Sequence, residues 1–208
     1  MEQGLQVFVV DDDAAVLKAL TRLLRSHGFQ VESFAAADAF LARPAFDGPA
    51  CLILDLRMPD IGGLGVQEAL LGRGIEMPII FLSGHGDVPT AARAMREGAL
   101  DFLVKPVDEV ALLESLARAD AKARQLDQRQ QAEREADARL SRLTPRELQV
   151  CELVAQGLLN KQIAFELGTV EKTVKVHRGR VMRKLEVDSV PALVRLLGKR
   201  PQPSAPHA

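Results

Sequence analysis

The sequence predicts an α/β domain with a doubly wound parallel sheet, joined by a helical linker to an all-α domain. Three observations carry that prediction. In the first half, short continuous apolar runs alternate with amphipathic helical patterns, which is how strands covered by helices on both faces read. After Leu143 those runs end and only helical periodicity remains. Between the two lies a stretch rich in Ala, Gln, Glu and Arg that favours helix but holds too few bulky apolar residues to bury a core. A chain of 208 residues is long enough for two such domains.

LQVFVV (5–10) reads as a buried strand, followed by a helix near 14–27 with Val16, Leu17, Leu20, Leu23 and Leu24 on one face. FQVESF (29–34) alternates as a strand does, and a short helix covers about 36–42. CLIL (51–54), PIIFL (78–82) and DFLV (101–104) are three further strands, followed by helical patterns near 64–71, near 89–97 and from 109 onward. Five such units make a flavodoxin-like (βα)5 domain the natural architecture, over about residues 1–115.

The linker is placed at 116–142. Leu112, Leu116, Ala119, Ala123 and Leu126 keep a coiled-coil-like spacing that then meets polar Gln130, Glu133 and Asp137. Two readings stand at this point: a helix with a short coiled-coil seam, or a solvated single helix or frayed linker. In 143–199, Thr144 is an N-cap with Pro145 at the first helical position, and that helix runs to about Gln156. Asn160 opens a second helix, a third spans about 171–185 and a fourth starts near Ser189. Short helices with the tight turn LGTVEK between the second and third describe a helix-turn-helix. The tail, 200–208, is expected to be disordered.

Charge divides the same way. Residues 1–110 hold 9 Lys and Arg against 16 Asp and Glu, and residues 144–208 hold 11 against 6, so the back half is the part suited to a polyanion. Cys51 and Cys151 lie in apolar segments and read as small buried hydrophobes, without disulfide or thiol chemistry. No histidine has metal-ligand spacing with them, and His85 is expected in an exposed loop. No apolar run approaches the roughly 20 residues that span a membrane, and the start lacks a signal peptide's order, so a cytoplasmic protein is expected.

In doubly wound sheets ligands sit at the carboxyl ends of the strands. Here those ends carry Asp11, Asp12 and Asp13, then Asp55, Ser83 and Lys105. Asp12 and Asp55 can supply oxygens to a hard divalent cation such as Mg²⁺, which takes one or two carboxylates plus water and phosphate oxygens. A carboxylate beside that cation can attack phosphorus to give an acyl phosphate. The Lys105 ammonium can then pair with the new phosphoryl oxygens while the Ser83 hydroxyl bonds one of them. Asp13 either caps the first helix or adds to the local charge.

VVDDD, LILDLRMPDIGG and FLSGHGDVPTAARAMREGALDFLVKP, over residues 5–115, closely resemble response-regulator receivers of the NarL/FixJ class. The resemblance implies that Asp55 is the phosphoacceptor and Asp11 and Asp12 the acidic pair. It further implies Mg²⁺ ligation by Asp12, Asp55 and the main-chain carbonyl of Arg57, with Asp11 acting through water. Ser83 stands at the Thr/Ser position, Phe102 at the aromatic switch and Lys105 at the family's lysine, with a Lys105–Pro106 bond that is often cis.

Residues 143–197 resemble the LuxR-type helix-turn-helix. On the helix starting near Glu171, Val174, Val181 and Leu185 face a core, while Lys172, Lys175, Val176, Gly179 and Arg183 form another face suited to the major groove. The resemblance places Lys175 and Val176 at base-contacting positions, and Gly179 where relatives often carry a longer polar side chain. Lys161, Lys172, Arg178, Arg180 and Arg183 are assigned to phosphates, which give affinity without sequence information. His177 is expected to pack between helices. With no Trp or Tyr, base stacking is unfavoured, and duplex DNA is the expected nucleic acid.

The expected protein is therefore a transcription factor, not an enzyme, apart from autophosphorylation and slow loss of its own acyl phosphate. Its expected partners are a histidine kinase, promoter DNA and a second copy after phosphorylation, with RNA polymerase a further candidate. Two alternatives use the same residues. Asp11-x-Asp13 also follows the first strand of haloacid-dehalogenase-like phosphatases, but the second carboxylate here closes strand three and the helix-turn-helix stands where a cap would be. A regulator of this shape could also work without phosphorylation, its acidic pocket a remnant.

Overall fold

A computed structural model describes residues 4–59, 61–84 and 88–198; the expected disordered tail (200–208) and His85 lie outside the described residues. Five strands, β1 (Gln6–Val10), β2 (Gln30–Phe34), β3 (Ala50–Asp55), β4 (Ile79–Ser83) and β5 (Asp101–Val104), form one all-parallel sheet in the order β2-β1-β3-β4-β5. Every residue of β1, β3 and β4 is buried, which is why these segments are continuously apolar, whereas β2 at the sheet's edge is partly exposed and alternates. Helices α1 (Ala14–Ser26), α2 (Ala37–Leu41), α3 (Gly62–Gly72), α4 (Val88–Arg96) and α5 (Glu109–Leu140) connect and follow the strands.

Alternate strand residues point to opposite faces, so the sheet divides two cores. Phe8, Val10, Leu52, Leu54 and Phe81 pack with Phe40 of α2 and with Val66 and Leu70 of α3. Val7, Val9, Ile53, Ile80 and Leu82 pack with Leu20 and Leu24 of α1 and with Leu112, Leu116, Ala119 and Ala123 of α5. Each fully buried Leu, Ile or Phe contributes about 1.5–3 kcal/mol of transfer free energy. The strand order reverses between β1 and its two neighbours, and the crevice at such a reversal is where doubly wound sheets bind ligands. Asp11 follows β1 and Asp55 closes β3, beside that reversal.

The chain divides into two compact units after Gln128. Leu112, Leu116, Ala119 and Ala123, whose spacing fits a coiled-coil seam, are spent inside the first unit against the sheet. The last turns of α5 serve the second unit, where Ala136 and Leu140 join its core. That unit otherwise comprises α6 (Pro145–Ala155), α7 (Asn160–Glu166), α8 (Glu171–Lys184) and α9 (Val190–Leu197). Val150, Cys151 and Val154 of α6, Ile163 of α7, Val174 and Val181 of α8, and Leu193 of α9 fill its centre. Both cysteines are buried free thiols. No helix among the described residues is long and apolar enough to cross a membrane.

Candidate functional site

Each acidic side chain of the first pocket is fixed by the strand that ends beneath it. Asp11, fully buried, follows β1; its Oδ1 accepts the Asp13 amide at 2.9 Å and its Oδ2 accepts the Lys105 ammonium at 2.6 Å. Asp55 closes β3 and is also buried, with Oδ1 2.8 Å from the same Lys105 Nζ. Asp12 is exposed at the rim. Carboxylate oxygens of Asp11, Asp12 and Asp55 all lie within 4.8 Å of one another. Asp13 turns away to cap α1, accepting the amides of Ala15 at 2.8 Å and Val16 at 3.3 Å.

Burial raises the Asp55 carboxyl above its ordinary range and the neighbouring Asp11 and Asp12 add to that, while the hydrogen bond and charge of Lys105 work in the opposite direction. Burial alone would lower Lys105, but its bonds to Asp11 and Asp55 outweigh that and leave it raised, so it stays an ammonium at neutral pH. One cation is therefore shared between two buried carboxyl groups. Oxygen donors in this number suit a hard divalent cation, and exposed Asp12 leaves one side open to water and ligand oxygens.

The remaining predicted residues of this pocket sit on adjacent strand ends. Ser83 ends β4, is fully buried and donates its hydroxyl to the Gly84 carbonyl at 3.0 Å. The Lys105 amide bonds the Ser83 carbonyl at 2.7 Å, locking the two strand ends together, and the Lys105–Pro106 peptide is cis. Phe102 is half-buried on β5 against the Phe81 side of the sheet. Arg57 is exposed just beyond Asp55.

Gly63 is a residue that the sequence reading passed over. A Cβ there would lie 2.5 Å from the Asp55 carbonyl oxygen, 3.0 Å from Leu56 Cα and 3.0 Å from Phe81 Cε1. Only glycine lets the start of α3 approach the phosphoacceptor candidate's backbone so closely, and its amide bonds the Leu56 carbonyl at 3.1 Å. The signal was the Ile61-Gly62-Gly63 run, which reads equally well as a plain turn. Gln67, buried on the same helix, ties α3 to α4 by donating its amide to the Glu97 carbonyl at 3.0 Å.

In the second unit, α8 presents two faces. Val174 and Val181 are buried, while Lys172, Lys175, Val176, Gly179, Arg180 and Arg183 are exposed together with Lys161 of α7. Gly179 has open space where a Cβ would stand. Arg178 is half-buried, and its Nη1 donates to Asn160 Oδ1 at 3.1 Å, an intramolecular partner that joins α8 to α7. His177 is half-buried on the same helix.

Comparison with known proteins places both halves. The receiver domain of response regulators matches residues 7–117, and the luxR family of bacterial regulatory proteins matches residues 141–197. The chain belongs to the NarL/FixJ-type response regulators. It is 46% identical over 195 residues to the response regulator protein TmoT of Ectopseudomonas mendocina, covering 94% of this chain and 89% of that one. Against the transcriptional regulatory protein FixJ of Azorhizobium caulinodans it is 40% identical, covering 94% and 93% of the two chains. The solved structure of the response regulator StyR is similar with a TM-score of 0.78 at 44% identity, over 95% of this chain and 100% of that one. This response regulator thus joins a receiver domain, which implies a histidine kinase partner, to a DNA-binding domain.

What holds α8 against the rest of its unit was only half legible. Thr144 caps α6 as expected, but Glu147 completes a reciprocal capping box and also takes the Lys184 ammonium of α8 at 2.6 Å. The bond to Lys184, followed by those from Thr144, lowers the Glu147 carboxyl to about 2. The T-x-x-E spacing carried the first part of that arrangement; nothing in sequence spacing carries a pair 37 residues apart.

Proposed function

We propose that this response regulator is switched by phosphorylation of Asp55. The observation that supports it is the single ammonium of Lys105 shared between buried Asp11 and Asp55, with exposed Asp12 beside them. A carboxylate oxygen of Asp55 attacks the phosphorus of a phosphohistidine on the partner kinase; the O–P bond forms as the N–P bond breaks, and the imidazole leaves with the electron pair and takes up a proton. Mg²⁺, held by Asp12, Asp55 and the Arg57 main-chain carbonyl, with Asp11 acting through water, would neutralise charge on the transferring group. Lys105 then pairs with the phosphoryl oxygens, and the Ser83 hydroxyl turns from Gly84 to bond one of them. Movement of Ser83 and of the Phe102 ring alters the surface around α4 and β5, through which a second receiver pairs.

Dimerisation raises the effective concentration of the second DNA-binding domain on a two-half-site operator. The receiver occupies 1–115, the helical linker 116–142, whose Leu116, Ala119 and Ala123 still pack in the receiver's core, and the DNA-binding domain 143–199. Lys175 and Val176 contact bases, Gly179 lets the helix sit close to them, and Lys161, Lys172, Arg180 and Arg183 contact phosphates, with Arg178 beside them. RNA polymerase is a further partner on promoter DNA. Slow hydrolysis of the acyl phosphate ends the signal, and the protein works in the cytoplasm.

Intact-mass spectrometry after incubation with acetyl phosphate and Mg²⁺, followed by size exclusion, tests this reading. A single phosphoryl adduct in the wild type and none in Asp55→Asn, with a shift towards dimer, supports it. A wild type that takes no adduct from acetyl phosphate or kinase refutes it, as does DNA binding that is activated equally in Asp55→Asn.

A further inference from the structure

The first unit holds a cavity at the end of the sheet opposite Asp55. It lies where β4 and β5 begin, between the last turns of α3, the loop that follows α4 and the middle of α5, with a volume of about 310 Å³. Every residue lining it belongs to that unit. Leu71, Ile75, Met77, Leu100 and Leu126 give it an apolar wall, each of them at least partly open to solvent. The volume stands at the lower end of the roughly 300–1,000 Å³ typical of small-molecule sites, which sets the size of an occupant.

Two acceptor oxygens among the lining residues have no donor. Gln67 is 2% exposed, and its amide nitrogen donates to the carbonyls of Glu97 at 3.0 Å and Ala94 at 3.5 Å, which fixes the way the amide faces. Its Oε1 is buried without a hydrogen-bond partner among the described residues. Glu97 Oε1 takes the Arg93 guanidinium at 2.7 Å, whereas Glu97 Oε2 is buried and equally unpartnered. Lys122, the cation on the α5 wall, is exposed and bonds neither oxygen. Folded proteins satisfy nearly all their buried acceptors, so two on one cavity wall call for a donor that enters with an occupant.

We propose that this cavity binds a small apolar amine, its hydrocarbon body against the apolar wall and its ammonium donating to Gln67 and Glu97. An ammonium carries three donors and no acceptor, whereas a hydroxyl has a single hydrogen and leaves one of the two oxygens unmet. Its charge also strengthens the bond to the Glu97 carboxylate. The same two oxygens turn away a ligand that offers only acceptors. The site is separate from the acidic pocket at the carboxyl ends of the strands and needs neither Mg²⁺ nor phosphorylation.

Titration of the full-length protein with cyclohexylmethylamine, cyclohexylmethanol and ethylcyclohexane, three probes of similar size, tests this by calorimetry and backbone amide shifts. The amine should bind most tightly, the alcohol on the order of tenfold more weakly and the hydrocarbon more weakly still. The shifts should be confined to α3, the segments entering β4 and β5, and α5. Glu97→Gln, which turns an amide hydrogen towards the cavity in place of an oxygen, should weaken the amine by on the order of tenfold and leave the hydrocarbon unchanged. Leu71→Trp adds bulk at an exposed wall position, keeps the buried bonds and should abolish binding of all three probes. Equal binding of amine and hydrocarbon overturns the proposal and leaves a plain apolar void. Binding of no probe also overturns it, leaving the two oxygens to ordered water. Amine binding that survives both substitutions, or that shifts amides elsewhere, overturns it as well.

Discussion

Substituting Gly63 by alanine adds one methyl group where three atoms already close the space. Its Cβ would stand 2.5 Å from the carbonyl oxygen of Asp55 and 3.0 Å from Leu56 Cα, both backbone atoms that no rotamer change can move aside. Overpacking of this kind costs about 1–3 kcal/mol, and the 2.5 Å approach places it in the upper part of that range. Alanine's better helix propensity returns at most about 1 kcal/mol. The expected net loss is about 2 kcal/mol. At roughly 4 °C per kcal/mol for a domain of this size, the receiver transition should fall by about 8 °C. Gly72→Ala, at the other end of α3, meets nothing within 4 Å and should melt level with wild type or up to about 4 °C higher. Differential scanning calorimetry of the full chain reads both, with the receiver transition marked by its response to Mg²⁺. Because the displaced atoms belong to Asp55 and its neighbour, Gly63→Ala should also form the acetyl phosphate adduct more slowly. A Gly63→Ala protein that melts with or above Gly72→Ala would refute the close approach of α3 to the pocket.

Three further outcomes follow from the same geometry. Burial raises Asp55 above its ordinary value, so its ionised form costs stability above the folded pKa and that cost disappears as pH falls through it; Asp55→Asn should melt higher than wild type at neutral pH without Mg²⁺, and the gap should close on acidification. Glu147 is held at about 2, so its contribution is complete above the ordinary value of 4.5 and is lost as pH falls towards 2; acid titration of the DNA-binding domain's stability should show that loss in wild type and not in Glu147→Gln. Lys161→Ala should weaken binding about equally on all duplexes and lower the salt slope by about one, whereas Arg178→Ala, which breaks the bond to Asn160, should cost about 1 kcal/mol of folding stability, read by urea titration.

The sequence by itself determined the two fold classes, the order of the elements and which polar side chains stand at the strand ends. Those features are local: a strand buried on both faces must be apolar throughout, a helix must keep its period, and a strand end must place its next residue outside the sheet. Asp55, Ser83 and Lys105 were legible for that reason, each being the residue at or just beyond the end of an apolar run. Asp13 was ambiguous because an aspartate that caps a helix also adds charge beside the acidic pocket, and only its bonds to the Ala15 and Val16 amides show the cap.

Tertiary structure decided what depends on distance across the chain. It brought Lys105 onto Asp11 and Asp55 together, so that two buried carboxylates share one cation. It spent the regular spacing of Leu112 to Ala123 on the receiver core, since a stripe of apolar residues serves a sheet as readily as a second helix. It also made Gly63 a spacing requirement and paired Glu147 with Lys184. A glycine's neighbours and an ion's partner are set by which elements pack together, and no periodicity in the sequence records that.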